Sequence, residues 1–313
     1  MTTYLLSMLA FAGFTALLAL GLNVIWGLAG MMNLGLAGFY AVGAYTSALL
    51  VVRLHWPIAA AMAAAAAASS LVGAGAALLT ARLRGDYLAI VTLGFAEVVR
   101  LIASNEIWLT NGTDGISGVP GPWRGVLPPL GFYALYAAIV WVCVAAIAVL
   151  LARLAASPFG RVLRAIREDE MVAAVAGKRV IVFKVKAFAL SAAVLGLAGA
   201  LYVHFNGYVA PDAFAPLVTL YVVLALTAGG TGRMAGAVLG AVLVIALTEG
   251  TRFLGGLTSA LGPVQAASVR EGVIGAALIV ALHWRPQGLL PERMRRYGRG
   301  RLADAPSPAR REA

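Results

Sequence analysis

Cysteine and charge are both scarce in this sequence. Of its 313 residues one is cysteine and 12% are charged, about half the charged share of an ordinary soluble domain. A lone thiol, Cys143, forms no internal disulfide and no thiolate zinc cluster, which excludes a disulfide-framed secreted domain. It sits in an apolar run and reads as a buried structural thiol. His55, His204 and His283 lie far apart on different apolar runs, and HExxH does not occur. The histidines therefore read as interfacial side chains, with no metal site expected. No GxxxxGK[ST] phosphate loop and no GxSxG elbow occur, so neither direct ATP binding of that kind nor hydrolase chemistry is expected. Acids are few, 13 against 24 Lys and Arg, for a net charge of +11. In a soluble protein that excess would suggest nucleic acid. Here the basic residues fall between and after the apolar runs, so membrane topology explains them and no nucleic-acid partner is expected.

Apolar residues are abundant, at 61% of the chain. At about 20 residues per membrane helix, that is enough for roughly eight to ten spans. The first apolar run has no basic residue before it, so it reads as an uncleaved span and not as a signal peptide. Nine runs stand out, at 4–26, 31–52, 57–80, 87–104, 132–155, 186–206, 215–229, 234–255 and 268–284. The fold expected is an all-α polytopic membrane protein, a bundle of about nine transmembrane helices spanning 1–290. An Arg-rich, disordered tail at 291–313 would lie against anionic lipid. Three runs are weak. The second opens on Asn33 and is glycine-rich, the fourth holds Glu97 and Arg100, and the seventh is short enough to be broken or re-entrant. Non-helical backbone at that depth needs protein or water to cover it.

Placing the 156–185 loop in the cytoplasm assigns nineteen Lys and Arg to that side, eleven in loops and eight in the tail. The opposite side holds Arg53, Arg124, Arg252 and Arg270, and Arg100 lies within a span. That asymmetry supports nine spans with the N-terminus outside and the C-terminus inside.

Two loops carry patterns of their own. In 156–185, Arg161, Arg164 and Arg167 recur every third residue, followed by Glu168, Asp169 and Glu170, with Gly177 placed to end a helix. A short cytoplasmic helix over about 161–176 is expected. Anionic lipid would hold its basic face, whereas the three consecutive acids favour docking in a groove of a cytoplasmic partner. The glycine- and proline-rich 105–131 loop reads as an outer lid or docking surface, with Trp108 and Trp123 as interface anchors.

Ionisable groups within the spans are Glu97 and Arg100, with Glu249 near an outer end. A charge at membrane depth costs about 2.5–3.5 kcal/mol on insertion scales. Glu97 and Arg100, one turn apart, form either a structural pair or part of a pathway or gate. Gly232, Gly236 and Gly240 repeat every fourth residue and would share one helix face for tight packing or sliding.

With these residues in view, the chain resembles the LivM-type permease subunits of bacterial branched-chain amino acid ABC importers. The matching blocks run in order: GLNVIWGLAG (21–30), LGLAGFYAVGAYTSALL (34–50), LRGDYLAIVTLGFAEVVR (83–100), TNGTDGISGVPGP (110–122), SPFGRVLRAIREDEMVAAVAGKRV (157–180), KAFALSAAVLGLAGALYVH (186–204), GGTGRMAGAVLGAVL (229–243) and RPQGLL (285–290). The resemblance implies a multi-pass inner-membrane subunit that forms half of a translocation pathway. It implies no cofactor and no catalysis on this chain. The partners it implies are a second, LivH-type permease, cytoplasmic ATPase subunits and a periplasmic substrate-binding protein. Residues 161–177 correspond to the coupling helix, with Arg161, Arg164, Arg167, Glu168, Asp169, Glu170 and Gly177 as its contacts. The segment commonly written GQLSLGHAAF is here GMMNLGLAGF (30–39), poorer in polar groups, with Asn33 as its pathway candidate. An importer of the same architecture for urea, amides or other amino acids remains an alternative, as does a stand-alone carrier.

Overall fold

In a computed structural model, the described residues are 1–80, 82–83, 85–253 and a few further positions, among them 288–290. The chain opens with α1 (Thr2–Asn23), which runs on as a π-helical turn (Val24–Leu28). Then come α2 (Leu36–Leu54), α3 (Ile58–Thr80), α4 (Asp86–Asn105) and the short α5 (Ile107–Thr110). A long α6 (Pro129–Ala156) leads to α7 (Pro158–Glu168), α8 (Glu170–Val175) and α9 (Val180–Asn206). The last two are α10 (Pro216–Gly229) and α11 (Met234–Phe253). A two-residue antiparallel pair, β1 (Ile116–Ser117) with β2 (Tyr208–Val209), joins the α5–α6 and α9–α10 loops. Both loops therefore lie at one end of the bundle.

Among the described residues, seven helices are long and apolar enough to cross a membrane. They correspond to the first seven apolar runs. The seventh reaches spanning length because a 3₁₀ turn, Pro211–Phe214, extends α10. α11 contributes the shorter apolar stretch Met234–Gly250. The run at 268–284 lies almost wholly outside the described residues, and the tail at 291–313 entirely so. The second span starts later than its hydropathy suggests. Helix begins at Leu36, and residues 30–35 are irregular backbone, with Met31, Asn33 and Gly35 buried. Apolar composition alone does not reveal that interruption.

The core is built on close backbone approach. α9 packs against α3, α2 and α1. A Cβ placed on Gly43 of α2 would lie 2.2 Å from the Gly196 carbonyl oxygen of α9. One on Gly196 would meet Ser69 of α3 at 2.2 Å, and one on Gly199 the Tyr40 carbonyl at 2.2 Å. Lipid tails are as apolar as leucine, so contact of this kind supplies much of the cohesion between membrane helices. Gly236 and Gly240 do the same between α11 and α10, against Gly229 and Ala225. Gly232 does not share their face. It precedes α11, in the turn after α10, with φ +85°.

This packing predicts a contrast between two glycines. Gly43→Ala should destabilise the purified protein by about 1–3 kcal/mol through overpacking. Gly75→Ala, in α3 with nothing within 4 Å of the added carbon, should be neutral or gain up to about 1 kcal/mol of helix propensity. Thermal unfolding in detergent of the two variants beside the parent measures the difference.

Candidate functional site: the inner elbow and the broken helix ends

The continuous helix expected over 161–176 is an elbow of two helices. Asp169 is extended (φ −154°, ψ 114°) and ends α7. Its Oδ1 accepts from the N–H groups of Met171 (2.8 Å) and Val172 (3.1 Å), capping α8. An aspartate spends its side chain well in that position, because it satisfies two of the donors that a helix start leaves open. Gly177 ends α8 as its position suggests. It takes φ +77°, with Gly177 N–H on Ala174 O and Lys178 N–H on Ala173 O, the bonding of a Schellman cap.

The charges of the elbow are largely turned onto its own chain. Glu170 pairs with Lys184 of α9 at 2.9 Å, and the lysine is almost fully buried. Arg167 donates to the backbone carbonyl of Gly27 in the π-helical turn and pairs with the exposed Glu168 at 3.5 Å. Gly30, with φ +69°, lies directly against Arg167, where a Cβ would meet its Cγ at 2.5 Å. A small cavity of about 230 Å³ lies in this joint, lined by Gly30, Met31, Gly85, Leu88, Arg167 and Lys184 among others. On its other side the elbow presents a groove of about 500 Å³ floored by Val162, Ala165, Val172 and Ala173, with Arg161 and Lys178 among its lining.

The same end of the bundle gathers the other helix breaks. Buried Asn23 accepts through Oδ1 from Gly232 N–H at 2.8 Å, which ties α1 to the α10–α11 turn. Its Nδ2 donates to Met234 Sδ at 3.4 Å. Gly27 fits between them, since a Cβ there would lie 2.0 Å from Asn23 Oδ1 and 2.7 Å from Gly232 N. Leu289 and Leu290 donate their N–H groups to the Ala228 and Gly229 carbonyls at 2.9 and 3.0 Å, closing the end of α10. At the start of α2, Leu34 N–H donates to Thr92 Oγ1 of α4 (3.1 Å) and Gly35 N–H to Asn33 Oδ1 (2.8 Å).

A family profile described as the branched-chain amino acid transport system permease component matches residues 4–282. The chain belongs to that permease family. It is 34% identical to the high-affinity branched-chain amino acid transport permease LivM of Salmonella typhimurium over 298 residues. The match covers 88% of this chain and 67% of that protein. Against LivM of Escherichia coli the identity is 35% over 304 residues, with the same two coverages. A probable LivM of Methanocaldococcus jannaschii is 30% identical over 234 residues, 71% of this chain and 65% of that protein. No solved structure gives a significant match. These relatives are transport permeases and not enzymes, and the permease described here is a transport subunit likewise.

Elsewhere in the permease the expected residues separate. Glu97 and Arg100 do pair, with Arg100 Nε 3.0 Å from Glu97 Oε2, on a partly exposed face of α4 away from the elbow. At the other end of the bundle the 105–131 loop is pinned and not a free lid. Arg124 donates to the Asn206, His204 and Phe205 carbonyls that end α9, and its guanidinium lies 4.8 Å from the Phe132 ring centre. His204 is fully buried, contrary to its interfacial reading. Its Nδ1–H donates to Pro120 O (2.7 Å), so its Nε2 accepts from the Ser47 hydroxyl (2.9 Å). Trp108 and Trp123 are exposed at this end. Sequence reasoning missed Asn23, Thr92, Arg124 and Lys184 as organising residues, because each acts on a partner distant in the chain.

These contacts rank the acids of the elbow. Glu170→Ala, which strands buried Lys184, should cost on the order of 1.5–3 kcal/mol. Glu168→Ala, with its side chain 67% exposed, should stay within about 0.5 kcal/mol of the parent. Equal losses in thermal unfolding would contradict the division of roles described for the three acids.

Proposed function

We propose that this chain is the permease subunit of an ATP-driven importer of branched-chain amino acids, in a bacterial inner membrane. It would form half of the pathway beside a second, LivH-type permease. A periplasmic binding protein delivers the amino acid to the end that carries Trp108 and Trp123. ATPase subunits act at the elbow end, which is the cytoplasmic side. This orientation rests on the nineteen-to-four distribution of Lys and Arg. The relatives support the cargo, since all three are named as branched-chain amino acid transport permeases. Residues 1–290 make up the transport domain, and 291–313 a lipid-facing tail.

The observation that carries the coupling role is the two-faced elbow. One face is fastened by Arg167 and Glu170 to the broken ends of α1 and to α9. The other exposes Met171, Val172 and Val175 beside an apolar groove. A partner that grips the outer face moves the inner attachments with it. Arg161, Arg164 and the exposed Glu168, and not Arg167, Asp169 or Glu170, are the charges available to that partner. Of the acids expected to dock, Asp169 and Glu170 are committed within the chain and Glu168 stays exposed, so the partner's complementary surface is apolar with acids opposite Arg161 and Arg164.

Two measurements test this. Uptake of labelled leucine in cells lacking the gene should return when the chain is restored alongside its partners, and be blocked by isoleucine and valine but not by urea or ribose. Loss of competition by isoleucine and valine would discard the cargo. Met171→Asp with Val172→Asp changes two exposed side chains, so the fold should hold within about 0.5 kcal/mol per site. ATPase docking should weaken about tenfold or more. Undiminished uptake in this double variant would remove the elbow from coupling.

A further inference from the structure

We infer that the N-terminus of α2, together with the Asn33 carboxamide, is the seat for the α-carboxylate of the transported amino acid. The inference rests on the amino acid reading above and adds the atoms that would hold the cargo. Its first support is depth. Gly35, the residue before α2, abuts the backbone of Thr92, where a Cβ would lie 2.4 Å from the Thr92 carbonyl oxygen. Thr92 is six residues into α4, or about 9 Å from its start at 1.5 Å per residue. The helix therefore begins inside the membrane span and not at its edge.

The second support is an unused donor. Asn33 is completely buried, and its Oδ1 is taken by Gly35 N–H, which lays the carboxamide over the start of α2. Its Nδ2 has no hydrogen-bond partner. Leaving such a group bare costs about 1–3 kcal/mol. Around it, the first-turn N–H groups of Leu36 and Ala37 cannot be paired within the helix, and they form the positive end of its dipole. Both residues are buried. The spot thus concentrates donors and partial positive charge without a full cation. Discontinuous membrane helices hold anionic substrate groups with this arrangement.

The third support is what lies on either side. Toward the binding-protein end, Phe39 packs on Phe95 at 5.0 Å and Tyr40 on Phe214 at 5.1 Å, an aromatic layer one turn beyond the seat. Toward the elbow, the 230 Å³ cavity reaches Met31 and Leu88. Leu88 is one turn below Thr92 on the same face of α4. The seat lies between these two layers and is closed in this conformation. Opening requires residues 30–35 to move, and Arg167 touches that segment at Gly30.

Asn33→Asp separates this role from a purely structural bond to Gly35 N–H. The complete importer, with binding protein and ATPase subunits, is placed in proteoliposomes, and ATP-driven uptake of labelled leucine is measured. An aspartate still offers an oxygen to Gly35 N–H but buries a charge, at about 2.5–3.5 kcal/mol at membrane depth, so a purely structural Asn33 predicts a lower melting temperature and poorer assembly. If the seat holds a carboxylate, the variant fills it with its own. Uptake should then fall about tenfold or more, while the melting temperature holds or rises and leucine-loaded binding protein still stimulates ATP hydrolysis. Asn33→Ser keeps an accepting oxygen near Gly35 N–H but replaces the amide donor with a hydroxyl on a shorter side chain that does not reach as far, and uptake should fall likewise. Parental uptake by either variant overturns the seat, as does failure of both to assemble, which would make Asn33 structural. If the parent importer itself carries no leucine, the amino acid reading falls and the seat with it.

Discussion

A backbone that leaves the helix inside a membrane finds no water, and each bare N–H or C=O there costs several kcal/mol. That constraint organises this permease more than any single ion pair. Helix breaks at 30–35 and 230–233 are tolerated because side chains meet them. Thr92 serves Leu34, Asn33 serves Gly35, and Asn23 serves Gly232. The tight glycine contacts among α2, α3 and α9 make the cover possible, since they bring whole backbones together around the broken segment. Among the described residues three buried side-chain polar atoms lack a partner, Tyr45 Oη, Thr219 Oγ1 and Asn33 Nδ2, and of these Asn33 Nδ2 lies at a helix break.

The same breaks give the molecule its moving parts. A straight, fully paired helix resists bending, whereas a π-helical turn and a non-helical lead-in can change shape locally. Here both lie close together in the chain, 24–28 and 30–35, and the Arg167 side chain touches each, at Gly27 and at Gly30. The elbow is stiff where it joins these segments. Buried Lys184 fastens α8 to α9, and Asp169 fixes the bend between α7 and α8. Force applied to the exposed side of the elbow therefore meets little slack before it reaches the break.

Much of the architecture was visible in the hydropathy runs, because spanning helices must be long and apolar whatever they pack against. The coupling segment was visible too, although its internal form was not. Three consecutive acids looked like a docking patch, yet Asp169 caps a helix and Glu170 reaches a lysine fourteen residues away. A local pattern of charge does not disclose which members are taken by distant partners. Gly232 kept the spacing of a packing face but sits in a turn, since the helix starts two residues later. The clasp at the far end depends on Arg124 and His204 meeting backbone carbonyls that no periodicity marks. Asn33 was singled out as an oddity in an apolar run, and its importance lies in a nitrogen whose missing partner only three-dimensional placement could expose.

The carbonyls of Ala228 and Gly229 are served by Leu289 and Leu290, about sixty residues further along the chain. During synthesis, the end of α10 is therefore inserted well before the groups that complete it have been made. At about 5–20 residues per second, that interval lasts some seconds, during which the corner beside Asn23 and Gly27 stays unfinished. The stitch that closes this corner is thus tied only seconds after α10 itself has been made. Quality control that probes exposed polar backbone in the membrane has its clearest view of this protein before that stitch is made.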